Sequence, residues 1–161
     1  MLVISEEEMV AQLATLPPQP EKSVVAIRPP VAGNGNWVGA PSAVLDGGEI
    51  YLAYRLRRPI GHGRGYAIAV ARSADGEHFE TLLTITKEQM DTESLERPVL
   101  VRLAGGGWRL YLSCATYGTN HWRVEVMEAA DPASFDPATR RTILPGDAGR
   151  ATQQRSDKFR K

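Results

Sequence analysis

Two stretches of this chain can be laid over one another, and that repetition limits the possible folds more than any single residue does. "AIAVARSADGEHF" at 67–79 matches "RVEVMEAADPASF" at 123–135: an apolar alternating run, then Ala-Asp, a small turn residue and Phe. Asp75 and Asp131 stand 56 positions apart, as do Phe79 and Phe135. Upstream, "APSAVLDGGEIYLAYRL" (40–56) lies over "RPVLVRLAGGGWRLYLSCA" (97–115), with Pro41 and Pro98 separated by 57. The offset wanders only where the turns differ in length.

Each copy divides into four short strands. In the first they are expected at about 41–46, 49–56, 66–73 and 79–85, and in the second at 98–104, 107–115, 122–129 and 135–144. "DGG" and "GGG" separate the first two strands, and "SADGEH" and "AADPAS" the last two. Glycine supplies positive φ in tight hairpins, and Asp bonds back to nearby amides. Ile50, Leu52, Tyr54 and Leu56 alternate onto one strand face, as do Trp108, Leu110, Leu112 and Cys114. Four antiparallel strands recurring at this period predict an all-β fold, a partial β-propeller of about two blades. The competing architecture is a β-sandwich.

The flanks read differently. "SEEEMVAQLATL" predicts a short N-terminal helix with a Ser5–Glu8 capping box, stopped by Pro17-Pro18. "SVVAI" (23–27) is a further strand candidate, expected against a blade edge. "GDAGRATQQRSDKFRK" has no alternation and an excess of basic groups, which predicts a disordered tail. The expected organisation is a lead-in over 1–33, blades at 34–90 and 91–146, and the tail at 147–161.

Composition excludes several function classes. Nineteen basic and nineteen acidic residues give no net charge to draw the chain to nucleic acid or a membrane surface. One cysteine permits no internal disulfide framework and no Cys-rich zinc site. The acidic N-terminus is unlike a signal peptide, and no apolar run reaches membrane-spanning length. A cytoplasmic protein without cofactor is expected. His62 and His121 lack an evident third ligand for a metal.

In a propeller blade the innermost strand lines the central channel. The loop entering it and the loop joining the second and third strands open at one end. "GNGNWVG" (33–39) and "ESLER" (93–97) are the entering loops; "RLRRPIGHGRGY" (55–66) and "TYGTNHW" (116–122) are the joining ones. Trp37, Arg55, Arg57, His62, Arg64, Glu96, Arg97, Tyr117, Asn120, His121 and Trp122 are thereby expected at one mouth. Aromatic rings beside guanidinium, amide and carboxylate groups suit a sugar: rings stack on its apolar faces and forked polar groups take its hydroxyls.

"WVGAPSAVLDGGEIYLAYR", "SADGEHF" and "ESLERPVLV…GGWRLYLS" resemble the five-bladed propellers of the glycoside hydrolase family 43, 32 and 62 superfamily, which includes arabinofuranosidases, xylosidases and β-fructosidases. The resemblance covers about 33–146. It implies carbohydrate as the partner and carboxylates at the channel ends of inner strands, commonly just before a proline. Glu96, in Glu-Arg-Pro, matches the general-acid position, although a small residue is usual where Arg97 stands. The matching place in the first blade, Gly39-Ala40-Pro41, has no carboxylate. Five blades at this period need roughly 280 residues, so about two are present and the chain reads as truncated. One carboxylate cannot serve as both acid and base. The resemblance therefore implies a fragment with a sugar-cleft rim that is not catalytic as an isolated chain. The alternative is a half-propeller that self-associates to cover open blade edges, as a competent glycosidase or a carbohydrate-binding module.

Overall fold

The computed structural model describes residue 21 and residues 23–146 of the 161. The helix expected at 5–16 and the tail expected at 147–161 lie outside the described residues. Within them the fold is all-β: two four-stranded antiparallel sheets, each a simple meander. The first contains β1 (Trp37–Asp46), β2 (Glu49–Arg57), β3 (Gly65–Ser73) and β4 (Glu80–Thr86). The second contains β5 (Leu95–Arg102), β6 (Trp108–Ala115), β7 (Trp122–Ala129) and β8 (Arg141–Leu144).

Three local expectations change. Residues 23–29 form no strand, and Val24 and Val25 are exposed. Pro29 ends this run and Pro30 follows it, and both lack the N–H donor a ladder needs. Ile27 of this segment instead packs on the first sheet with Val38, Leu52 and Phe79. The last strand is also shorter than expected. Asp136 caps a single 3-10 turn at Pro137–Thr139, its carboxylate accepting from the Ala138 N–H at 2.9 Å, so pairing resumes only at Arg141.

The third change matters most for the site. β1 and β5 start before their prolines, because a β-bulge carries each strand through. The register slips between Gly39 and Ser42 in one sheet and between Glu96 and Val99 in the other. Ala40 (φ 52°) and Arg97 (φ 38°), each directly preceding the proline, adopt left-handed backbone. That conformation costs a non-glycine residue roughly 1 kcal/mol or more. Both copies carry the same strain at the same place, and Glu96 consequently lies within β5 rather than in the loop before it.

The repeated turn chemistry also recurs. Asp75 Oδ1 accepts from the Glu77 and His78 N–H groups at 2.9 and 2.8 Å, and Asp131 Oδ1 from the Ala133 N–H at 2.9 Å. Bonds from His78 hold the Asp75 carboxyl well below the usual carboxylate range.

How the sheets stack separates a propeller from a sandwich. Leu110, Leu112 and Cys114 face the first blade, in a shared core with its Ala53, Ile68, Val70 and Ile85. Their counterparts Leu52, Tyr54 and Leu56 point away from the second blade, into a separate cluster with Ala67, Ala69 and Ala71. Equivalent faces therefore point the same way around an axis. A sandwich turns equivalent inner faces toward each other; here the front of one blade meets the back of its neighbour. Each buried Leu or Ile at this seam contributes about 1.5–3 kcal/mol.

Polar bonds fix the stagger. The Leu100 N–H donates to Ser42 Oγ at 3.0 Å, Arg102 pairs with Asp46 at 3.1 Å, and the Gly65 N–H donates to Ser94 Oγ at 3.1 Å. Cys114 is fully buried in this core, as its alternation with Leu110 and Leu112 predicts, and burial pushes its thiol pKa up to about 12. Disulfide reagents act on the thiolate. We therefore expect a colorimetric thiol assay at pH 8 to detect almost no reaction in the native protein and one full equivalent after unfolding. A fast native reaction would contradict a packed seam.

Candidate functional site

The bulge delivers Glu96 to the seam between blades. From the first blade, β2 delivers Arg55 to meet it, and the two side chains form an ion pair. Arg55 is buried, at 6% exposed, and its Nε has no hydrogen-bond partner among the described residues. Its guanidinium lies 4.4 Å from the centroid of the Trp37 ring, and that of Arg57 lies 5.3 Å from the same ring. Such cation–π contacts are worth about 0.5–2 kcal/mol each. Trp37 thus serves the arginines rather than presenting a free ring.

Trp37 also accounts for the missing carboxylate. A Cβ on Gly39, the counterpart of Glu96, would lie 2.6 Å from Trp37 Cζ3. The ring fills the space that a side chain at residue 39 would need. Gly39→Ala is therefore expected to expel the ring, changing near-ultraviolet circular dichroism and costing about 1–3 kcal/mol in urea melts. Trp37→Ala in the same chain should recover part of that loss. An additive double variant would contradict the contact.

An open cleft of about 330 Å³ lies beside Glu96, lined by Glu96, Arg97, Ser113 and Trp122. Trp122 keeps nearly half its surface exposed, so it is the ring available for stacking here. Burial and then the charges of Arg57, Arg64 and Arg97 depress the basicity of Arg55. Trp37, Arg55, Arg57, Arg64, Glu96, Arg97 and Trp122 therefore form one connected neighbourhood. Sequence reasoning passed over Ser113, yet it sits directly opposite Glu96 in the β5–β6 register. Counting residues outward from the "GGG" turn is the signal that finds it.

The remaining candidates do not line this cleft. Tyr117 lines a separate polar depression of about 530 Å³ with Thr116, Asp91, Arg123, Glu125 and Arg140. Glu125 there is buried but engaged, accepting from Arg123 Nε at 2.6 Å and from Thr142 Oγ1 at 3.2 Å. His62 occupies an exposed turn, its N–H donating to the Pro59 carbonyl at 3.0 Å. Asn120 is exposed. The His121 carbonyl accepts from the Thr116 N–H, and its own N–H donates to Thr119 Oγ1, which closes a local turn. Among the described residues no cluster of three His, Cys, Asp or Glu side chains could hold a metal ion.

No family model matches the sequence, and no curated protein matches it. Solved structures do match in fold. A GH43_1 enzyme from Xanthomonas citri complexed with xylose aligns over 77% of this chain and 37% of its own length, with TM-score 0.53 and 19% identity. A glycosyl hydrolase from Bacteroides ovatus aligns over 72% and 39%, with TM-score 0.53 and 18% identity. An exo-β-1,3-galactanase from Clostridium thermocellum aligns over 66% and 24%, with TM-score 0.53 and 16% identity. The chain spans less than half the length of each. At such identities the likeness concerns the fold alone: the two consecutive blades have the architecture of part of the propellers in those structures.

Proposed function

We propose that this chain is a carbohydrate-binding propeller unit of the glycoside-hydrolase type that does not hydrolyse glycosides as an isolated chain. The observation that carries the reading is the state of its carboxylates. Glu96 is the acidic residue of the cleft, it is engaged by Arg55, and its counterpart in the first blade is Gly39 beneath the Trp37 ring. Glycoside hydrolysis ordinarily needs two carboxyl groups flanking the scissile bond, one giving a proton and the other acting as base or nucleophile. A carboxylate committed to a buried guanidinium is an acceptor, not a proton donor. Binding asks for less. The Trp122 ring, the Ser113 hydroxyl, the Arg97 guanidinium and the free lone pairs of Glu96 supply a stacking surface and forked donors and acceptors.

The test uses the whole chain. Aryl arabinosides, xylosides and short fructans should release no sugar above the buffer blank, while oligosaccharides should perturb tryptophan fluorescence. Release that disappears in Glu96→Gln would contradict the non-catalytic reading.

A second reading, assembly of copies, draws on one observation. Val99 and Tyr111 pair across β5 and β6 on the face turned away from the first blade, and Val99 is half exposed. Such a face is an aggregation liability unless covered. Sedimentation velocity across a concentration series should then show a dimer or larger species; a monomer at every concentration removes this reading.

A further inference from the structure

Charge at the cleft is lopsided. Over the whole chain nineteen basic residues balance nineteen acidic ones, yet here Arg55 holds the cleft carboxylate, Arg97 lines the cleft beside it, and Arg57 and Arg64 add their charges around Arg55. Arg55 alone of the four has an acidic partner; among the described residues Arg57, Arg64 and Arg97 enter no ion pair. They stand near enough to Arg55 for their charges to act on it. Among the described residues the buried Arg55 Nε has no hydrogen-bond partner, so even the paired arginine is not fully satisfied.

Like charges gathered beside a partly buried site repel, and solvent screens that repulsion only partly. A neutral sugar leaves the surplus in place. An oxyanion removes it, and guanidinium forks match carboxylate oxygens two at a time. The exposed Trp122 ring shares this cleft with Arg97, which sets a flat apolar surface next to a free cation. One ligand chemistry uses both at once.

We infer that the cleft takes an acidic saccharide: a sugar ring bearing a carboxylate, the ring against Trp122 and the oxyanion met by Arg97 within the field of Arg57 and Arg64. This rests on the carbohydrate-binding reading above and adds the class of sugar. Glu96, itself negative, is shielded by Arg55 and left to accept from ring hydroxyls.

The experiment titrates the full chain, by calorimetry and tryptophan fluorescence, with uronate-bearing trisaccharides, their neutral counterparts and inorganic phosphate. An acidic sugar should bind about tenfold or more tightly than its neutral twin, the scale of one charge-assisted contact. That preference should shrink at about 0.5 M salt. It should also shrink in Arg97→Gln and Arg64→Gln, both exposed positions whose variants are confirmed folded by circular dichroism. Equal or tighter binding of the neutral twin overturns the acidic assignment and leaves the carbohydrate reading standing. Phosphate binding as tightly as the acidic sugar overturns the saccharide assignment in favour of a bare oxyanion site. If no sugar binds at all, both readings fall.

Discussion

Gly65→Ala is expected to be among the most damaging single substitutions in this chain, although it adds one methyl group and breaks no helix or turn. Gly65 opens β3 with ordinary strand backbone, so its need for glycine is not a matter of φ. The reason is the neighbouring blade. A Cβ built there would lie 2.0 Å from the Leu95 carbonyl oxygen and 2.8 Å from Ser94 Oγ. The first of these is backbone at the start of β5, which cannot swing aside as a flexible side chain would. The blades must separate, taking the Gly65–Ser94 hydrogen bond and part of the shared core with them. Overpacking with a backbone shift costs about 3 kcal/mol or more here, a large share of the total stability of a domain this size. Urea denaturation followed by far-ultraviolet circular dichroism measures it. Gly105→Ala is the control, because a Cβ there meets nothing within 4 Å and the φ is not positive. Equal midpoints for the two variants would contradict the close seam.

The second large effect concerns the ion pair that joins the blades. Glu96→Ala leaves Arg55 buried with no counter-ion, and removing one partner of a buried pair typically costs about 3 kcal/mol or more. Arg55→Met leaves Glu96, which is better exposed, and should cost less. Replacing both, with Arg55→Met and Glu96→Leu together, should restore most of the stability, since an apolar pair of similar volume avoids the desolvation of two charges. The double-mutant cycle in urea should show strong coupling between residues 55 and 96. Additive losses would mean that the two charges do not share a site.

Much of this fold can be read from the sequence, because the repeat is local chemistry written twice. The Asp75 and Asp131 turns, the alternating runs at 50–56 and 108–114, and the prolines at 41 and 98 each specify their own surroundings. What escaped depends on contacts between distant segments. The strand expected at 23–27 has the right residue types, but whether it pairs or lies across a face depends on where a blade edge is free. The strand expected at 135–144 shortens to β8 because the cap at Asp136 interrupts an otherwise strand-like run.

The site was legible as a list and less so as an arrangement. Placing loops at one end of a propeller gathers Glu96, Arg97 and Trp122, and these three line one cleft. It does not distinguish Tyr117, which opens onto a neighbouring depression, or His62 and His121, whose backbones are tied into their own turns. It also does not anticipate that the Trp37 ring is taken by Arg55 and Arg57. Gly39 carried a readable hint: a glycine where its repeat partner is a glutamate implies that something else fills the space.

Front-to-back stacking of the two repeats is the claim beneath all of this, because it alone sets Arg55 of one blade against Glu96 of the next. Methyl-selective nuclear Overhauser spectroscopy reads it directly. Cross-peaks are predicted between the methyl groups of Ile68, Val70 and Ile85 in the first blade and those of Leu110 and Leu112 in the second. Cross-peaks linking Leu110 and Leu112 to Leu52 and Leu56 instead would place equivalent faces together and contradict the account.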